Sequence, residues 1–230
     1  MKYTYLFIDL CSVLVPFLFS FHPKLKFHKT WKAFWPACII TSAFFIGWDV
    51  YFTNEKVWGF NPKYLTGIQI FNLPFEEVLF FIFIPYSCVF TYHCLNLLIK
   101  KQWTPSFTRS FTAVLFSILL ITAIVFIKHR YTSVTFFLLS IFLLFFFFGK
   151  LPDWLGKFYF AWIILLIPFF IVNGILTGTG PDEPIVWYNN AENLSVRAFT
   201  IPIEDFFYGM LLLLMNVYIY ETLKKRFSIV

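Results

Sequence analysis

Residues 72–81 read NLPFEEVLFF, and this stretch sets two adjacent acids, Glu76 and Glu77, at the head of an apolar segment. Residues 200–207, TIPIEDFF, repeat the layout with Glu204 and Asp205, and 204 minus 76 gives an offset of 128. A carboxylate inside a bilayer costs several kcal/mol unless it is paired or faces a wet cavity, so intramembrane acids are functional candidates. Because the corner occurs twice, we interpret both acid pairs as functional.

The composition is that of an integral membrane protein. Of 230 residues, 60% are hydrophobic and 13% are charged, and the mean hydropathy is +0.75, whereas soluble domains carry about 25% charged residues. The net charge of +6 does not indicate nucleic-acid binding, because the basic residues stand in short clusters between apolar runs. The four cysteines show no CxxC spacing, so neither a disulfide framework nor a zinc site is predicted.

Seven apolar segments are long enough to cross a bilayer, which takes roughly 17 to 25 helical residues. They span residues 3–21, 33–52, 74–98, 110–127, 132–148, 158–176 and 203–220. The sequence therefore predicts an all-α integral membrane protein with about seven transmembrane helices.

The distribution of basic residues predicts the orientation. Loops after the first, third, fifth and seventh segments carry 12 of the 18 Lys and Arg residues. Cytoplasmic loops carry the basic excess, so the N-terminus is predicted outside the inner or plasma membrane and the C-terminus in the cytoplasm. Both acidic corners then open their helices at the outer face.

The match at an offset of 128 extends beyond the acids. It also pairs Tyr3 with Tyr131, Thr4 with Thr132, Ala33 with Ala161, Glu55 with Glu183, Phe71 with Phe199, and Tyr92 with Tyr220. We interpret residues 1–100 and 131–230 as two three-helix repeats joined by a connecting helix in residues 101–130. An even number of crossings separates the two copies, which predicts a parallel repeat about an axis along the membrane normal.

The acids at the corners suit proton transfer, because burial and neighbouring charge can hold one carboxyl group protonated beside another that is ionised. Glu76 and Glu204 are the matched first candidates. Glu77 and Asp205 come second, since neighbouring helical side chains point about 100° apart and these two can face the loop instead. Asp49, at the outer end of the second helix, is the third acid in an apolar setting. The alternative is that the corner acids only offset the positive end of a helix dipole.

Aromatic residues make up 24% of the chain, and most are expected to face lipid or to pack between helices. Four of them lie one turn beyond the acids: Phe80, Phe81, Phe207 and Tyr208. An aromatic face stabilises a cation by about 0.5 to 2 kcal/mol, so these four are candidates to line a cavity that holds a cationic intermediate. Asn173 on the sixth helix is a further lining candidate, with interhelical hydrogen bonding as the alternative.

Motifs for several cofactors are missing from the sequence. Gly174, Gly178 and Gly180 follow no predicted strand and close a membrane helix, so they do not indicate a dinucleotide site. No two histidines have metal-ligand spacing, and residues 203–220 contain no lysine that could hold retinal. We therefore predict that the protein uses no metal and no other cofactor.

The two corners, PFEE at residues 74–77 and PIED at residues 202–205, and the doubled three-helix layout resemble the heterodimer-type lycopene cyclases of carotenoid biosynthesis. In that family two three-helix units occur as separate chains or fused, and this chain looks like a fused, single-chain member. The resemblance covers nearly the whole chain. The second corner reads Glu-Asp where the first reads Glu-Glu, so the proton donor is left open.

The resemblance implies a redox-neutral reaction of the intramolecular lyase or isomerase class. An acid protonates the open ψ end of lycopene or a related acyclic carotenoid, the cation closes to a six-membered ring, and loss of a ring proton gives a β end. The implied partners are the carotenoid and membrane lipid, with no nucleic acid.

Other functions fit the same residues. A proton-coupled transporter or flippase of a lipophilic substrate also uses intramembrane acids, although transporter sites lie near the midplane and these acids lie near one face. A carotenoid-end hydratase would add water to the same cation. A purely structural role, with the acids as helix caps, is the third alternative.

Overall fold

The computed structural model describes residues 2–99 and 103–229. Within them the chain forms seven α-helices: α1 (Thr4–Phe19), α2 (Trp31–Asn54), α3 (Phe75–Leu98), α4 (Pro105–Val125), α5 (Arg130–Phe148), α6 (Leu155–Leu176) and α7 (Ile203–Arg226). Helices α2 to α7 are long and apolar enough to cross a membrane, and α1 is a shorter apolar helix. The predicted all-α membrane fold is confirmed. The predicted boundary between the first repeat and the connector, at residues 100 and 101, lies outside the described residues.

The two helix ends that differ most from the sequence prediction are the start of α4 and the end of α7, and each has a physical reason. Helix α4 begins before residue 110, because Thr104 Oγ1 accepts a hydrogen bond from Phe107 N (3.3 Å) and Pro105 suits the first helical position. Helix α7 continues past residue 220 to Arg226. Its last turn carries Lys224, Lys225 and Arg226, and these positive charges stabilise the helix because they interact favourably with the negative end of its dipole.

Short antiparallel strands, absent from the sequence prediction, occupy the loops that lead into α3 and α7. Strand β1 (Trp58–Phe60) pairs with β4 (Val186–Tyr188). Strands β2 (Gln69–Ile70) and β3 (Leu73–Pro74) form one hairpin, and β5 (Arg197–Ala198) and β6 (Ile201–Pro202) form a second. The hairpins turn the chain directly into the acid-bearing ends of α3 and α7.

The prolines of both corners lie just outside their helices. Pro74 and Pro202 precede the first residues of α3 and α7, with extended backbone at ψ 146° and 141°. The acids Glu76 and Glu77, and likewise Glu204 and Asp205, therefore fall in the first helical turn.

Asn72 and Thr200, two residues before the prolines, hydrogen-bond the preceding helix and do not cap α3 or α7. Asn72 Nδ2 donates to Val50 O (2.9 Å), and Thr200 Oγ1 hydrogen-bonds Thr177 Oγ1 (2.7 Å). These contacts tie each hairpin to the helix that precedes it in the chain, α2 or α6.

The elements recur at the offset of 128. Helices α3 and α7 begin and end at equivalent residues, as do β1 and β4 and the two hairpins. The turn residues Phe71 and Phe199 even share a left-handed backbone, with φ 57° and 58°. Strands β1 and β4 thus pair with their own counterparts, and their central pair is Gly59 with Trp187, where 187 minus 59 again gives 128. An approximate twofold axis therefore passes through this pair.

Helices α3 and α7 lie at the centre of the bundle. Helices α1 and α2 pack on α3, α5 packs on α7, and α2 also packs along α7. Helix α4 packs along α5. Helix α6 contacts α3 and α7 less closely than α2 contacts α7, and this looser packing leaves space beside α6.

Candidate active site

The first acid of each corner is fully buried and binds the loop before its helix. Glu76 Oε1 accepts a hydrogen bond from Thr66 N (2.6 Å), and Glu204 Oε1 accepts one from Leu194 N (2.8 Å). The two donors are again 128 residues apart (194 − 66). Glu204 Oε1 also accepts from Thr132 Oγ1 (2.6 Å). These two glutamates hold loop to helix, and they do not line the cavity described next.

A cavity of about 240 Å³ lies between the two units, bounded by α1, α3, α6 and α7 and capped by β1 and β4. On α3 it is lined from Glu77 to Thr91, by residues that share one helix face. At 1.5 Å per residue this face is about 21 Å long. The walls are mostly apolar, and the carboxyl groups gather at the end under β1 and β4.

Three carboxyl groups line this end of the cavity, Glu77 from α3, Asp205 from α7 and Asp49 from α2. All three are buried. Glu77 lies close enough to Asp49 and to Asp205 to interact electrostatically with both. No group of three or more His, Cys, Asp or Glu in the described ranges could hold a metal ion. The second acid of each corner therefore faces the cavity, in contrast to the first.

Phenol groups hydrogen-bond the two corner acids that face the cavity. Tyr5 OH donates to Glu77 Oε2 (2.6 Å). Tyr131 OH donates to Asp205 Oδ1 (2.5 Å), and Tyr188 OH donates to Asp205 Oδ2 (2.9 Å). Asp205 therefore accepts a hydrogen bond on each oxygen, whereas Glu77 accepts one phenolic bond.

Asp49 has a different partner. Trp58 Nε1 donates to Asp49 Oδ1. Asp49 Oδ2 is buried and has no hydrogen-bond partner in residues 2–99 and 103–229.

Of the predicted lining residues, Phe80, Tyr208 and Asn173 line the cavity. Phe81 points towards α2, and Phe207 points towards α5, so both lie outside the lining. Adjacent helical residues point about 100° apart, so only one of each pair can face the same space.

Tyr208 lies at the centre of an aromatic cluster beside the acids. Its ring centroid is 5.0 Å from those of Phe45 and Trp48 and 6.0 Å from that of Trp58. Tyr208 and Trp58 both line the cavity. A cation formed at the acid end would therefore face aromatic rings.

Several residues of this region were not found from the sequence. Tyr5 has no tyrosine at the offset of 128, where the residue is Ser133, and Tyr188 lies in β4, a strand that the sequence did not predict. Asp9 on α1 is also fully buried, and neither of its carboxyl oxygens has a hydrogen-bond partner among the described residues. The available signal for Asp9 was a lone acid inside an apolar segment.

The equivalent space on the other side of the twofold axis is filled by aromatic rings. Three lining positions of the second unit correspond to large side chains in the first, Asn173 to Phe45, Leu176 to Trp48 and Gly209 to Phe81. The Phe45 ring packs against both Trp48 (5.6 Å) and Phe81 (6.2 Å). The two units therefore share a backbone arrangement, but only the second borders an open cavity at these positions.

An ion-pair cluster joins the units outside the cavity. Arg130 contacts Glu55 (2.6 Å) and Glu192 (2.8 Å). The hydrogen bonds from Arg130 lower the pKa of Glu192 below its ordinary value. Arg130 is partly exposed, so these pairs contribute little stability individually.

The fold and the site define an integral membrane protein that gathers carboxyl groups from two related units at one end of an apolar cavity. The chain belongs to the lycopene cyclase family, whose members it matches over residues 2–95 and again over residues 128–223. The two matched regions contain both acidic corners.

Similar proteins include two fungal bifunctional lycopene cyclase/phytoene synthases. That of Neurospora crassa is 35% identical over 49 residues, which is 21% of this chain and 8% of the relative. That of Arthroderma gypseum is 29% identical over 97 residues, which is 42% of this chain and 15% of the relative. The matched stretches are thus a small part of each relative. No solved structure gives a significant match to this chain.

Proposed function

We propose that this protein is a lycopene cyclase that closes the ψ end of lycopene, or of a related acyclic carotenoid, to a β ring. The observation that carries the proposal is the narrow apolar cavity with three carboxyl groups at one end. A long hydrocarbon dissolved in the bilayer fits such a cavity, and ring closure needs an acid and a base where its end arrives. Family membership supports the same conclusion.

The proposed reaction is redox-neutral and needs no co-reactant. A carboxyl group adds its proton to the terminal double bond of the ψ end and leaves a tertiary cation. The electron pair of a second double bond in the same end forms the new ring bond, which moves the positive charge into the ring. A carboxylate then removes a ring proton, and the electrons of that C–H bond form the ring double bond.

We assign the proton transfers to Glu77 and Asp205, with Asp49 as the third acid. This assignment reverses the sequence-based preference for Glu76 and Glu204, because those two carboxyl groups are bound to loop N–H groups away from the cavity. Asp205 accepts two phenolic hydrogen bonds, which suits the carboxylate that takes the ring proton. Glu77, with one phenolic bond, is the candidate donor.

We further propose that the aromatic rings at the acid end stabilise the cation. Tyr208, Trp58 and Phe80 line the cavity there, and an aromatic face contributes about 0.5 to 2 kcal/mol to a nearby cation. Rings packed beside the cation also leave less space for water, which favours proton loss to the carboxylate over addition of water.

We propose that residues 1–100 and 131–230 act as two cyclase repeats joined by residues 101–130. The two separate matches to the family and the equivalent bounds of α3 and α7 support this division. Since both corners contribute to one cavity, neither repeat carries a complete set of acids by itself.

The tethering role of the first acids leads to a stability prediction. Glu76→Gln and Glu204→Gln are each expected to lower the free energy of unfolding by about 1 to 2 kcal/mol, because the loop N–H loses a charged acceptor but keeps an amide oxygen. Ring formation per folded molecule should stay within a few-fold of wild type. Thermal unfolding in detergent and pigment chromatography measure the two effects. A loss of ring formation in fully stable protein would return these acids to the catalytic set.

The basic-residue count leads to a topology prediction. We propose that the N-terminus lies outside and the C-terminus in the cytoplasm, which puts both acid corners at the outer face. A reporter enzyme fused after Val230 should be active only in the cytoplasm, and one inserted in the loop between α2 and α3 only outside. The opposite pattern would place the acid corners at the cytoplasmic face.

The redox-neutral reaction leads to a cofactor prediction. Purified protein in liposomes is expected to cyclise lycopene without added flavin, nicotinamide or metal ion. Chromatography of the extracted pigment measures the product, with protein-free liposomes as the control. An absolute requirement for reduced flavin would contradict the proposed mechanism.

Expression in cells that accumulate lycopene tests the function as a whole. Cyclic carotenoids support the cyclase. Hydroxylated acyclic carotenoids would instead identify the hydratase alternative, and unchanged lycopene in cells with abundant folded protein would favour the transporter or flippase.

A further inference from the structure

We propose, on the basis of the cyclase function proposed above, that the protein closes one end of its substrate at a time and releases the one-ring carotenoid into the membrane before the second end enters. A protein made of two related units suggests two sites, one for each end. The geometry points to a single site that both units build.

The two equivalent acids converge on the same space. Glu77 and Asp205 are related by the offset of 128 and line one cavity, together with Asp49. Asp49 has no acidic counterpart, because the equivalent residue is Thr177. The two corners therefore make one set of acids around one substrate end.

The second unit leaves space that the first unit fills. Gly209 lines the cavity, whereas its counterpart Phe81 is buried against Phe45. Asn173 lines the cavity, whereas its own counterpart is Phe45. A substrate end can therefore approach the acids from the α6 side, and the corresponding approach from the α2 side is occupied by rings.

The cavity has its acids at one end only. The lining face of α3 from Glu77 to Thr91 is about 21 Å long. At the end of this face far from Glu77, the lining residues of α3 are Ser87, Cys88 and Thr91, none of which is an acid. Pro168, in the middle part of α6, lines the cavity and is itself exposed. We infer that the cavity opens sideways to the bilayer at this point, away from the acids.

These features set the order of events. A conjugated carotenoid is stiff, so the two ends of one molecule cannot visit the same acids unless the chain withdraws through the side opening and turns end for end. During that time the one-ring carotenoid mixes with the pool in the bilayer. Formation of the second ring then competes with fresh lycopene for one site.

A dilution experiment with the wild-type protein tests this order. Purified protein in phosphatidylcholine liposomes receives isotopically labelled lycopene, with or without excess unlabelled γ-carotene, the one-ring carotenoid. The expected result is that the ratio of labelled two-ring to labelled one-ring carotenoid falls as the unlabelled one-ring pool grows. Competition for the site alone would slow the reaction but leave this ratio unchanged. Reaction that stops at labelled one-ring product also supports the proposal, because the product then left the site with one end open.

A ratio of labelled two-ring to labelled one-ring carotenoid that the unlabelled pool does not change would overturn the proposal, since both rings would form without release. Failure of the cyclase function gives a different result. In that case neither labelled lycopene nor γ-carotene acquires a new ring.

Discussion

Replacing Glu77 by glutamine, or Asp205 by asparagine, is expected to reduce ring formation about 10²- to 10⁴-fold while the protein still accumulates in the membrane. Each change is nearly isosteric but removes a proton that can be given or a charge that can receive one. Tyr5 and Tyr131 keep an oxygen acceptor in the amide, so the local hydrogen bonds persist in part. Single-turnover conversion of lycopene in liposomes measures the rate.

The matched control for this prediction is Glu76→Gln, the same substitution one residue away in the same helical turn but outside the cavity. Asp49→Asn is expected to cause a smaller loss than Glu77→Gln, because Asp49 is the third acid of the set. Wild-type ring formation by a folded Glu77→Gln, Asp205→Asn double variant would refute the assignment of the proton transfers.

Filling the cavity at Gly209 is the change with the second largest expected effect. A Cβ atom at this position would lie 3.2 Å from Trp162 Cη2 and 3.5 Å from Phe169 Cε2, both of which belong to lining residues. Overpacking of this kind costs about 1 to 3 kcal/mol. If that cost falls on substrate binding, Gly209→Leu lowers kcat/KM for lycopene about 10- to 100-fold, since 1.4 kcal/mol is tenfold.

Gly47→Leu is the matched control, because a Cβ atom at Gly47 would meet no other atom within 4 Å. Both variants add the same side chain to a transmembrane helix, and only one of them reaches the cavity. Thermal unfolding of both variants separates a blocked cavity from a damaged fold. Normal kcat/KM in a stable Gly209→Leu variant would show that the substrate end does not pass this position.

The membrane helices and the two acidic corners could be predicted from the sequence, because the length of an apolar segment, the position of a proline and a pair of adjacent acids are all local features. The sequence did not indicate which acid of each pair faces the cavity. That depends on the rotation of α3 and α7 about their axes, which is set by contacts from elsewhere in the chain. The loop N–H groups of Thr66 and Leu194 bind the first acids, and this turns Glu77 and Asp205 inwards.

The partners of the acids were hidden for a related reason. Tyr5 lies 72 residues before Glu77 and has no tyrosine at the equivalent position of the second repeat. Trp58 and Tyr188 lie in β1 and β4, two short strands that the sequence did not predict. The single cavity could have been anticipated by comparing residue size between the copies, since Gly209 corresponds to Phe81 and Asn173 to Phe45. Identical residues at equivalent positions indicate that two repeats share a backbone fold. Equivalent positions with side chains of different size indicate where only one repeat encloses a cavity.

The pair of Gly59 and Trp187 at the centre of the β1–β4 ladder also determines which halves can assemble. On a twofold axis a residue meets its own counterpart, and here a Cβ atom on Gly59 would overlap Cζ2 of the Trp187 ring. Two copies of the first half would set glycine against glycine and leave a gap. Two copies of the second half would force two indole rings into the place of one. The β1–β4 ladder therefore packs best with one copy of each half.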